Sequence, residues 1–366
     1  MRGPLPDYPW DAMAPYAAAA AEHPEGAVNL SVGSPVDPSP AGVREALAAA
    51  TDAHAYPATA GSPRLREAIA EWFARRRGVR VAPEAVLPTV GSKELVALLP
   101  FLLGIGAGEA VVFPRIAYPS YAMGAALVGA DAVAADDPAD WPAHTRLVWV
   151  NSPSNPDGRV HDAAWLRAAV ARARELDAVI AGDECYAEFG WDAPWDAERI
   201  PSILDPAVVG EDHRDVLSVY SLSKQSNLAG YRAAFIAGDP DLVERLLTVR
   251  KHAGLMLPAP VQAAMIAALA DETHVTEQRE RYRARREVLR PALEAAGFRI
   301  EGSAAGLYLW ATRGEDAWDS VAEFARRGIV VGPGQFYGDH SPQHVRLALT
   351  ASDADIATAA RRLAAA

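Results

Sequence analysis

The sequence predicts an α/β protein, with a mostly parallel central sheet in a large domain and a smaller α+β domain. Beyond Gly91, short apolar runs alternate with segments of helical periodicity, which is typical of a parallel sheet covered by helices. The chain has 366 residues, more than one hydrophobic core usually supports, so we expect two domains. The predicted strands of the large domain are Ala110–Phe113, Leu147–Val150, Val179–Ala181, Val216–Tyr220 and Ala233–Ala237.

Helix signals occur before, between and after these strands. Ser62 can cap a helix whose first turn contains Pro63, and helical periodicity is clearest over Ala163–Leu176. A long charged helix is predicted around Glu277–Ala296, and it ends at Gly297. The chain that follows predicts the α+β domain through the segments Leu307–Ala311, Val321–Arg327 and Val345–Leu349.

These patterns give three parts with boundaries near residues 35 and 265. Residues 1–35, rich in Pro, Gly and Ala, are predicted to form an N-terminal arm that joins the small domain. The large domain covers residues 36–265, and the small C-terminal domain covers residues 266–366.

Composition excludes several classes of protein. The net charge of −12 argues against a surface for nucleic acid or for anionic membranes, both of which need clustered Lys and Arg. The single cysteine excludes an internal disulfide framework, and it fits a reducing compartment. No signal peptide or membrane span is visible, so we expect a soluble cytoplasmic protein. The basic run Arg75–Arg77 is predicted to be a solvated helix end.

Polar residues follow three neighbouring predicted strands. In open α/β sheets, ligands bind beyond the carboxyl ends of the strands, so these residues are expected to meet at one edge. Turns alone would favour some of these residue types, but not a carboxylate, an amide, a phenol, an amine and a guanidinium together. The residues are Asn155, Asp183, Tyr186, Ser221, Ser223, Lys224 and Arg232.

The segment Gly91-Ser92-Lys93 opens an apolar helix and is a candidate anion site. A helix N-terminus directs free N–H groups and the positive end of the helix dipole at an anion. Ser221, Ser223 and Arg232 could complete a phosphate pocket there. The spacing of a Walker A loop is absent, and the histidines show no metal-binding spacing, so no metal is predicted.

A phosphate pocket, a carboxylate, phenol and amide donors, and an amine together match pyridoxal 5′-phosphate (PLP). Asp183 would pair with the protonated pyridine nitrogen, and Asn155 and Tyr186 would hydrogen-bond the ring oxygen. Lys224 would bind the cofactor aldehyde covalently, and once released it would act as general base and acid. Lys224 is therefore the predicted catalytic residue.

The same residues belong to motifs whose order and spacing resemble those of the class I and II aminotransferases of PLP-dependent fold type I. The motifs are Gly33–Pro35, Tyr56 with Gly61 and Leu65–Arg66, Gly91–Lys93, Tyr118–Tyr121, Asn155–Gly158, Asp183–Tyr186, Ser221–Lys224 with Arg232, and Arg346. Asp157 departs from the family, which usually has threonine at this position, and we expect little effect.

The resemblance implies roles that the residues alone do not. Tyr118 would stack on the cofactor ring, and Arg346 would bind the substrate α-carboxylate through a bidentate pair. Gly33 and Asn155 would also contact the substrate. Tyr56 would reach the cofactor phosphate of a neighbouring subunit, so the resemblance implies a homodimer with shared active sites. The partners would be an amino acid and a 2-oxo acid.

Further segments resemble the N-succinyl-LL-diaminopimelate aminotransferases of actinobacteria, which implies lysine biosynthesis with 2-oxoglutarate and glutamate as the second pair. The succinyl end would need a distal cationic or hydrogen-bonding group, for which the candidates are Arg115, Lys251, His252 and Gln335. The segments are Tyr8–Asp11, Asn29–Pro38, Tyr56–Leu65, Arg250–Pro260, Gly306–Gly314 and Gly332–Gly338.

Other functions stay open at this stage. Another aminotransferase of the fold could act on aspartate or aromatic amino acids, and a C–S lyase could use the same cofactor site with a different product. A PLP-binding regulator would need a DNA-binding module, and the residues before Gly33 are too few and too acidic to supply one. A phosphate-binding protein without PLP would leave Lys224, Asp183 and Tyr186 unexplained.

Overall fold

A seven-stranded mixed sheet forms the centre of the large part of the molecule. The computed structural model describes residues 8–364. Residues 1–7 of the predicted arm and residues 365–366 lie outside this range. In chain order, the strands of all the sheets in the described residues are β1 (Val28–Asn29), β2 (Val86–Val90), β3 (Ala110–Phe113), β4 (Asp131–Ala134), β5 (Thr145–Asn151), β6 (Val179–Asp183), β7 (Val216–Ser221), β8 (Ala233–Gly238), β9 (Arg299–Ile300), β10 (Tyr308–Thr312), β11 (Ile329–Val330), β12 (Gly332–Pro333) and β13 (His344–Ala348). The seven-stranded sheet contains β2 to β8.

Helices cover both faces of this sheet and pack on the C-terminal strands. The α-helices are α1 (Ala14–Ala21), α2 (Ala41–Ala49), α3 (Pro63–Trp72), α4 (Ser92–Leu102), α5 (Ser120–Val128), α6 (Ala163–Glu175), α7 (Pro206–Val209), α8 (Leu222–Gln225), α9 (Pro240–Ala253), α10 (Ala259–Ala270), α11 (Thr273–Ala295), α12 (Ala317–Arg326) and α13 (Asp353–Ala364). Shorter 3₁₀ and π turns lie at Pro9–Met13, Phe73–Arg77, Pro83–Ala85, Pro138–Asp140, Ala229–Tyr231 and Gly334–Tyr337.

The strand order of the large sheet is β2-β8-β7-β6-β5-β3-β4. The pairs from β7 to β4 are parallel, and only β8 runs against its neighbours β7 and β2 within the described residues. The prediction of an α/β fold with a mostly parallel sheet is therefore confirmed. The five predicted strands are all present, and each differs from its predicted bounds by at most two residues.

Strand β5 shows why these runs are continuously apolar. Successive side chains of a strand point to opposite faces, and both faces here are covered. Leu147 and Trp149 enter the core formed with α4 and α5, whereas Val148 and Val150 enter the core formed with α3 and α6. All four side chains are buried.

The C-terminal strands form a second, antiparallel sheet in the order β12-β13-β10-β9. In its central pair, Tyr308 lies opposite Ala348 and Trp310 lies opposite Arg346. The N-terminal strand β1 pairs in parallel with β11, which brings the segment before residue 35 beside the C-terminal part. These pairings support the division at residues 35 and 265, which we retain as a proposal.

The run Arg75–Arg77 does not behave as predicted, because its last residue is buried. The Arg77 side chain is only 1% exposed, and its Nη2 donates to Glu184 Oε2 at 3.2 Å. Glu184 Oε1 accepts from the Ser202 hydroxyl and from the Ile203 backbone N–H. Burial of the guanidinium follows from this carboxylate partner, which sequence periodicity cannot reveal. Arg75 remains partly exposed and pairs with Glu272.

Replacement of Arg77 by methionine tests how much this buried ion pair contributes to the free energy of unfolding. The change leaves Glu184 buried without its guanidinium partner, so we expect Arg77→Met to lower the free energy of unfolding by about 3–5 kcal/mol. The matched control is Arg75→Met two residues earlier, which breaks a solvated pair and is expected to cost about 0–1 kcal/mol. Urea unfolding of both proteins measures the difference, and equal losses would contradict the buried-pair argument.

Candidate active site

A cavity of about 710 Å³ lies at the carboxyl edge of the large sheet. Its wall includes residues from β5, β6 and β7, from the N-terminal segment and from the C-terminal sheet. The predicted site residues that line it are Gly33, Ser92, Lys93, Tyr118, Asn155, Asp183, Tyr186, Ser221, Ser223, Lys224, Arg232 and Arg346. Gly91 and Tyr56 are absent from this wall as the described residues form it.

Lys224 lies on α8, directly after β7, and its side chain reaches across the cavity. Its Nζ donates a hydrogen bond to the backbone carbonyl of Gly33. Burial lowers the pKa of Lys224, and the nearby guanidinium groups of Arg346 and Arg232 lower it further. A lowered pKa increases the fraction of neutral amine, which is the form that acts as nucleophile and base.

Asp183 ends β6, and its carboxylate is held from two sides. The Tyr121 hydroxyl donates to Oδ2 at 2.9 Å, and the backbone N–H of Cys185 donates to Oδ1 at 3.3 Å. The Asn151 side chain donates to the Asp183 backbone carbonyl at 2.9 Å. Burial raises the pKa of Asp183 despite these donors. A cationic partner would relieve that cost, so the carboxylate suits a protonated ring nitrogen.

The predicted phosphate pocket is assembled from three elements. The Ser221 hydroxyl donates to Ser223 Oγ at 2.7 Å and caps the short helix α8. The Arg232 guanidinium occupies the space where a Cβ on Gly91 would lie, and Gly91 also has a φ of +78°. Both facts require glycine at this position. With α4 beginning at Ser92, the pocket combines a helix N-terminus, two hydroxyls and a guanidinium, which suits a phosphate.

Arg346 is held rigidly on β13 and is 3% exposed. Its Nη1 donates to Asn155 Oδ1 at 2.9 Å, and its Nη2 donates to the Ser31 carbonyl at 2.6 Å. Its Nε has no hydrogen-bond partner among the described residues. Because Arg346 also lines the cavity, this guanidinium has donor capacity left for a carboxylate.

Aromatic rings surround the Arg346 guanidinium. Its Cζ lies 4.0 Å from the ring centroid of Tyr308, 4.9 Å from that of Tyr337 and 5.9 Å from that of Trp10. Rings at these distances attract the cation and limit its hydration. These three rings, which we call the aromatic cage, therefore hold the guanidinium in place and favour its charged form.

The Lys93 side chain approaches the rings of two tyrosines in the cavity wall. Its Nζ is 5.8 Å from the ring centroid of Tyr118 and 5.7 Å from that of Tyr8. Tyr118 packs edge-on against Tyr121, and burial raises the pKa of Tyr118 to about 12. The role of Lys93 in binding the cofactor stays a prediction, since the anion site predicted for its motif rests on the N–H groups and the dipole at the start of α4.

Two sets of predicted residues are separated from the cavity. Of the four distal candidates, only Arg115 lines the wall, and its guanidinium Nη2 lies 3.9 Å from Asp140 Oδ2. Lys251, His252 and Gln335 do not line it in the described part of the chain. Tyr56 is 95% exposed, so it does not contact the cofactor site of its own subunit.

Three residues of the site had no role assigned from the sequence. Tyr121 binds Asp183, Asn151 orients both Asp183 and Asn155, and Tyr308 lies between Tyr186 and Arg346. Tyr121 belongs to the motif Tyr118–Tyr121, and Asn151 is the last residue of β5, so position along the chain could have indicated both. Tyr308 gave no such signal, because it belongs to an apolar run of the C-terminal sheet.

The donor set fits PLP in each of its parts. The anion pocket of Ser221, Ser223 and Arg232 suits the phosphate, Asp183 suits the ring nitrogen, and Lys224 suits the aldehyde. Asn155 and Tyr186 supply polar groups on the same wall. Among residues 8–364, no cluster of three or more His, Cys, Asp or Glu side chains is arranged to hold a metal ion. No helix in this range has the length and apolarity needed to cross a membrane.

Comparison with known proteins agrees with this geometry. OxyQ of Streptomyces rimosus, a 4-dedimethylamino-4-oxo-anhydrotetracycline transaminase, is 56% identical over 98% of this chain and 99% of its own. The probable aminotransferase Rv1178 of Mycobacterium tuberculosis is 53% identical over 98% of this chain and 85% of its own. A crystal structure of an aminotransferase from Neisseria meningitidis superposes with a TM-score of 0.89 at 30% identity, covering 99% of this chain and 97% of the other.

The family model "Aminotransferase class I and II" matches residues 25–363. The relatives and the structural neighbour are also named as aminotransferases or transaminases, which confirms the predicted enzyme class, fold type I and PLP as the cofactor. The chain therefore belongs to the class I and II aminotransferases.

Proposed function

We propose that this aminotransferase exchanges the amino group between N-succinyl-LL-diaminopimelate and 2-oxoglutarate or glutamate, in lysine biosynthesis. The observation that carries the proposal is the set of cations on one cavity wall. The caged Arg346 suits an α-carboxylate, and Lys93 and Arg115 line the same cavity. A substrate with a second carboxylate at the end of a long side chain would use both kinds of site.

More distant relatives support a diaminopimelate-like substrate. An LL-diaminopimelate aminotransferase from Desulforudis audaxviator is 32% identical over 92% of this chain. LL-diaminopimelate, named in that relative's activity, has the same diamino dicarboxylate backbone without the succinyl group. The succinyl group would add a carboxylate and remove the distal ammonium charge, which agrees with the cations Lys93 and Arg115.

A second candidate is the amination of an oxo group on a polycyclic substrate. The 56% identity to OxyQ favours it, and so does an aromatic wall that could stack against a fused ring system. The rings of this wall belong to Tyr8, Trp10, Tyr118, Phe336 and Tyr337. The two candidates differ in the charge at the distal end of the substrate, which makes them separable by experiment.

The residues of the site have distinct proposed tasks in catalysis. When bound, PLP supplies an aldehyde for covalent attachment of amino groups and a cationic ring that withdraws electrons from the substrate Cα. Ser221, Ser223 and Arg232 hold the phosphate, and the Asp183 carboxylate keeps the ring nitrogen protonated. Lys224 Nζ, with its lowered pKa, would take the proton from the substrate Cα and deliver it to the carbon that PLP contributes as its aldehyde.

Substrate orientation is proposed to depend on Arg346 and its neighbours. The guanidinium binds the α-carboxylate and thereby places the Cα–H bond toward Lys224. Asn155 holds the guanidinium through its side-chain oxygen. The surrounding rings exclude water, which strengthens the ion pair between guanidinium and carboxylate.

We also propose that the enzyme works as a cytoplasmic homodimer. Tyr56 is an aromatic residue with almost complete exposure in the single chain, so its ring is accessible to a second subunit. It lies outside its own cavity wall, which supports the implied contribution of Tyr56 to the site of a second subunit.

The substrate proposal predicts different responses to loss of the two wall cations. Lys93→Met combined with Arg115→Met should raise the KM for N-succinyl-LL-diaminopimelate about tenfold or more, because a charged hydrogen-bond partner is lost. The KM for alanine, which has no distal carboxylate, should stay within about twofold. Lys251→Met is the matched control. Steady-state assays that follow formation of the new amino acid measure these values.

Comparison of amino donors separates the two candidate functions. The wild-type enzyme should convert its PLP form fastest with the succinylated substrate and with glutamate, as seen from loss of the visible absorption band. A high kcat/KM with a polycyclic oxo compound, and a negligible one with the succinylated substrate, would exclude the first candidate and support the second.

Lys224→Ala should abolish transamination and the visible absorption of the PLP-loaded protein. The reason is that no other amine on the cavity wall occupies the position of Lys224, and Lys93 lies against Tyr118 and Tyr8. Spectra after addition of PLP and a multiple-turnover assay test this expectation. Sustained turnover by the variant would refute the catalytic role of Lys224.

Arg346→Lys should raise the KM for amino donor and keto acid alike, by about tenfold or more, because an ammonium group cannot form the bidentate pair. The measurement is the KM for both substrates in each direction of the reaction. Arg299→Lys, at an exposed position, serves as the control. An unchanged KM for both substrates would mean that another residue binds the α-carboxylate.

A further inference from the structure

Tyr308 occupies the space between the two functional halves of the site. It is the first residue of β10 and is buried. Its hydroxyl lies 3.3 Å from the hydroxyl of Tyr186, and the two rings meet edge to face with centroids 5.8 Å apart. The face of its ring lies 4.0 Å from the Arg346 Cζ, nearer than either other ring of the cage.

The opposing backbone is shaped to accept this hydroxyl. A Cβ on Gly33 would overlap the Tyr308 hydroxyl and the outer atoms of its ring. The Gly33 carbonyl also accepts the hydrogen bond from Lys224 Nζ. Gly33 is therefore fixed by Lys224 on one side and by Tyr308 on the other, and a larger residue would displace Tyr308.

We propose that Tyr308 is a positioning residue with two separable parts: its hydroxyl donates to the Tyr186 hydroxyl oxygen, and its ring face holds the Arg346 guanidinium. The Tyr186 proton is then directed to the cofactor ring oxygen. The inference rests on the proposed roles of Tyr186 and Arg346, and it does not depend on which amino acid is the substrate.

The direction of the hydrogen bond follows from the number of protons. Tyr186 has a single hydroxyl proton, and its proposed role donates that proton to the cofactor. The bond between the two phenols must then use the Tyr308 proton, with Tyr186 oxygen as acceptor. A donor chain of this kind strengthens each of its bonds, because every accepted proton polarises the next hydroxyl.

The charges around the two phenols agree with this direction. Burial alone would raise the pKa of Tyr308, but the Arg346 guanidinium, together with Lys224 whenever its amine is charged, holds it below its usual value. Burial raises the pKa of Tyr186 well above its usual value. The more acidic phenol is the better donor, and that phenol is Tyr308.

Removal of the hydroxyl alone should weaken the bond from Tyr186 to the cofactor. In the PLP-loaded protein, the hydrogen bond from Tyr186 to the cofactor stabilises the form in which the Lys224 nitrogen has lost its proton. Loss of this bond therefore raises the pH at which half of the visible absorption change has occurred, which we call the pH midpoint. Tyr186→Phe should raise the midpoint by about one to two pH units. Tyr308→Phe should raise it by about 0.2 to 0.5 pH units, the share expected from cooperativity. In a Tyr186→Phe background, Tyr308→Phe should add no further shift.

Removal of the ring should act on the carboxylate end. Tyr308→Leu takes away the surface that faces Arg346, and we expect the KM for amino acid and keto acid to rise about tenfold. Tyr308→Phe keeps this surface and should leave both KM values within about twofold. Tyr308→Phe is therefore expected to shift the pH midpoint without a change in KM, whereas Tyr308→Leu is expected to change both.

Tyr337→Phe is the matched control. Tyr337 also faces Arg346, but its buried hydroxyl has no hydrogen-bond partner within the described residues. Its removal should leave the pH midpoint unchanged. Melting temperatures of the cofactor-free proteins accompany each measurement, since Tyr308→Phe is close to isosteric and should fold even if the leucine variant does not.

The outcomes separate the inference from the proposals beneath it. A midpoint shift in Tyr186→Phe without one in Tyr308→Phe would overturn the inference and keep the role of Tyr186. No shift in Tyr186→Phe would overturn the role of Tyr186, and the inference with it. A Tyr308→Phe shift of equal size in both backgrounds would show that the hydroxyl acts independently of Tyr186, which also overturns the inference.

Discussion

The parallel pairing of β5, β6 and β7 is the constraint on which the site depends. Asn151 lies opposite Asp183, and Asp183 lies opposite Val219, so the three strands deliver their next residues to one edge. The strand β7 continues to Ser221, and α8 then places Lys224 above the same edge. A register shift of one residue would move these polar side chains to the opposite face, because the period of a strand is two residues.

A second constraint joins this edge to the C-terminal sheet. The Arg346 guanidinium binds Asn155, 191 residues earlier, and the carbonyl of Ser31, 315 residues earlier. One side chain thus connects the N-terminal segment, the large sheet and the small sheet. Its hydrogen bonds and its aromatic cage all come from tertiary contacts, so the carboxylate site that we propose forms only after all three parts have folded together.

The sequence could predict features that repeat along the chain or sit at fixed places on an element. Runs buried on both faces, such as Ala110–Phe113, show directly as strands, and Asp183 is recognised because it ends one. The edge strand β4 is short and largely exposed, so it lacks an apolar signal. Arg77 and Tyr308 were not anticipated for a related reason. Their surroundings are set by Glu184 and by Tyr186 with Arg346, which are distant in sequence, and residue type alone suggests exposure for arginine and simple packing for tyrosine.

The charge of the cavity runs against the charge of the whole chain. The protein has a net charge of −12, yet the described residues of the cavity wall include five cationic side chains and two carboxylates. The cations are Lys93, Arg115, Lys224, Arg232 and Arg346, and the carboxylates are Asp183 and Asp339. This local excess attracts an anionic cofactor and the carboxylate groups of amino and oxo acids, since low-dielectric walls concentrate the field. Burial lowers the pKa of Lys224, and the neighbouring guanidinium groups lower it further, so the same arrangement that gathers anions also favours the neutral amine that the proposed proton transfer requires.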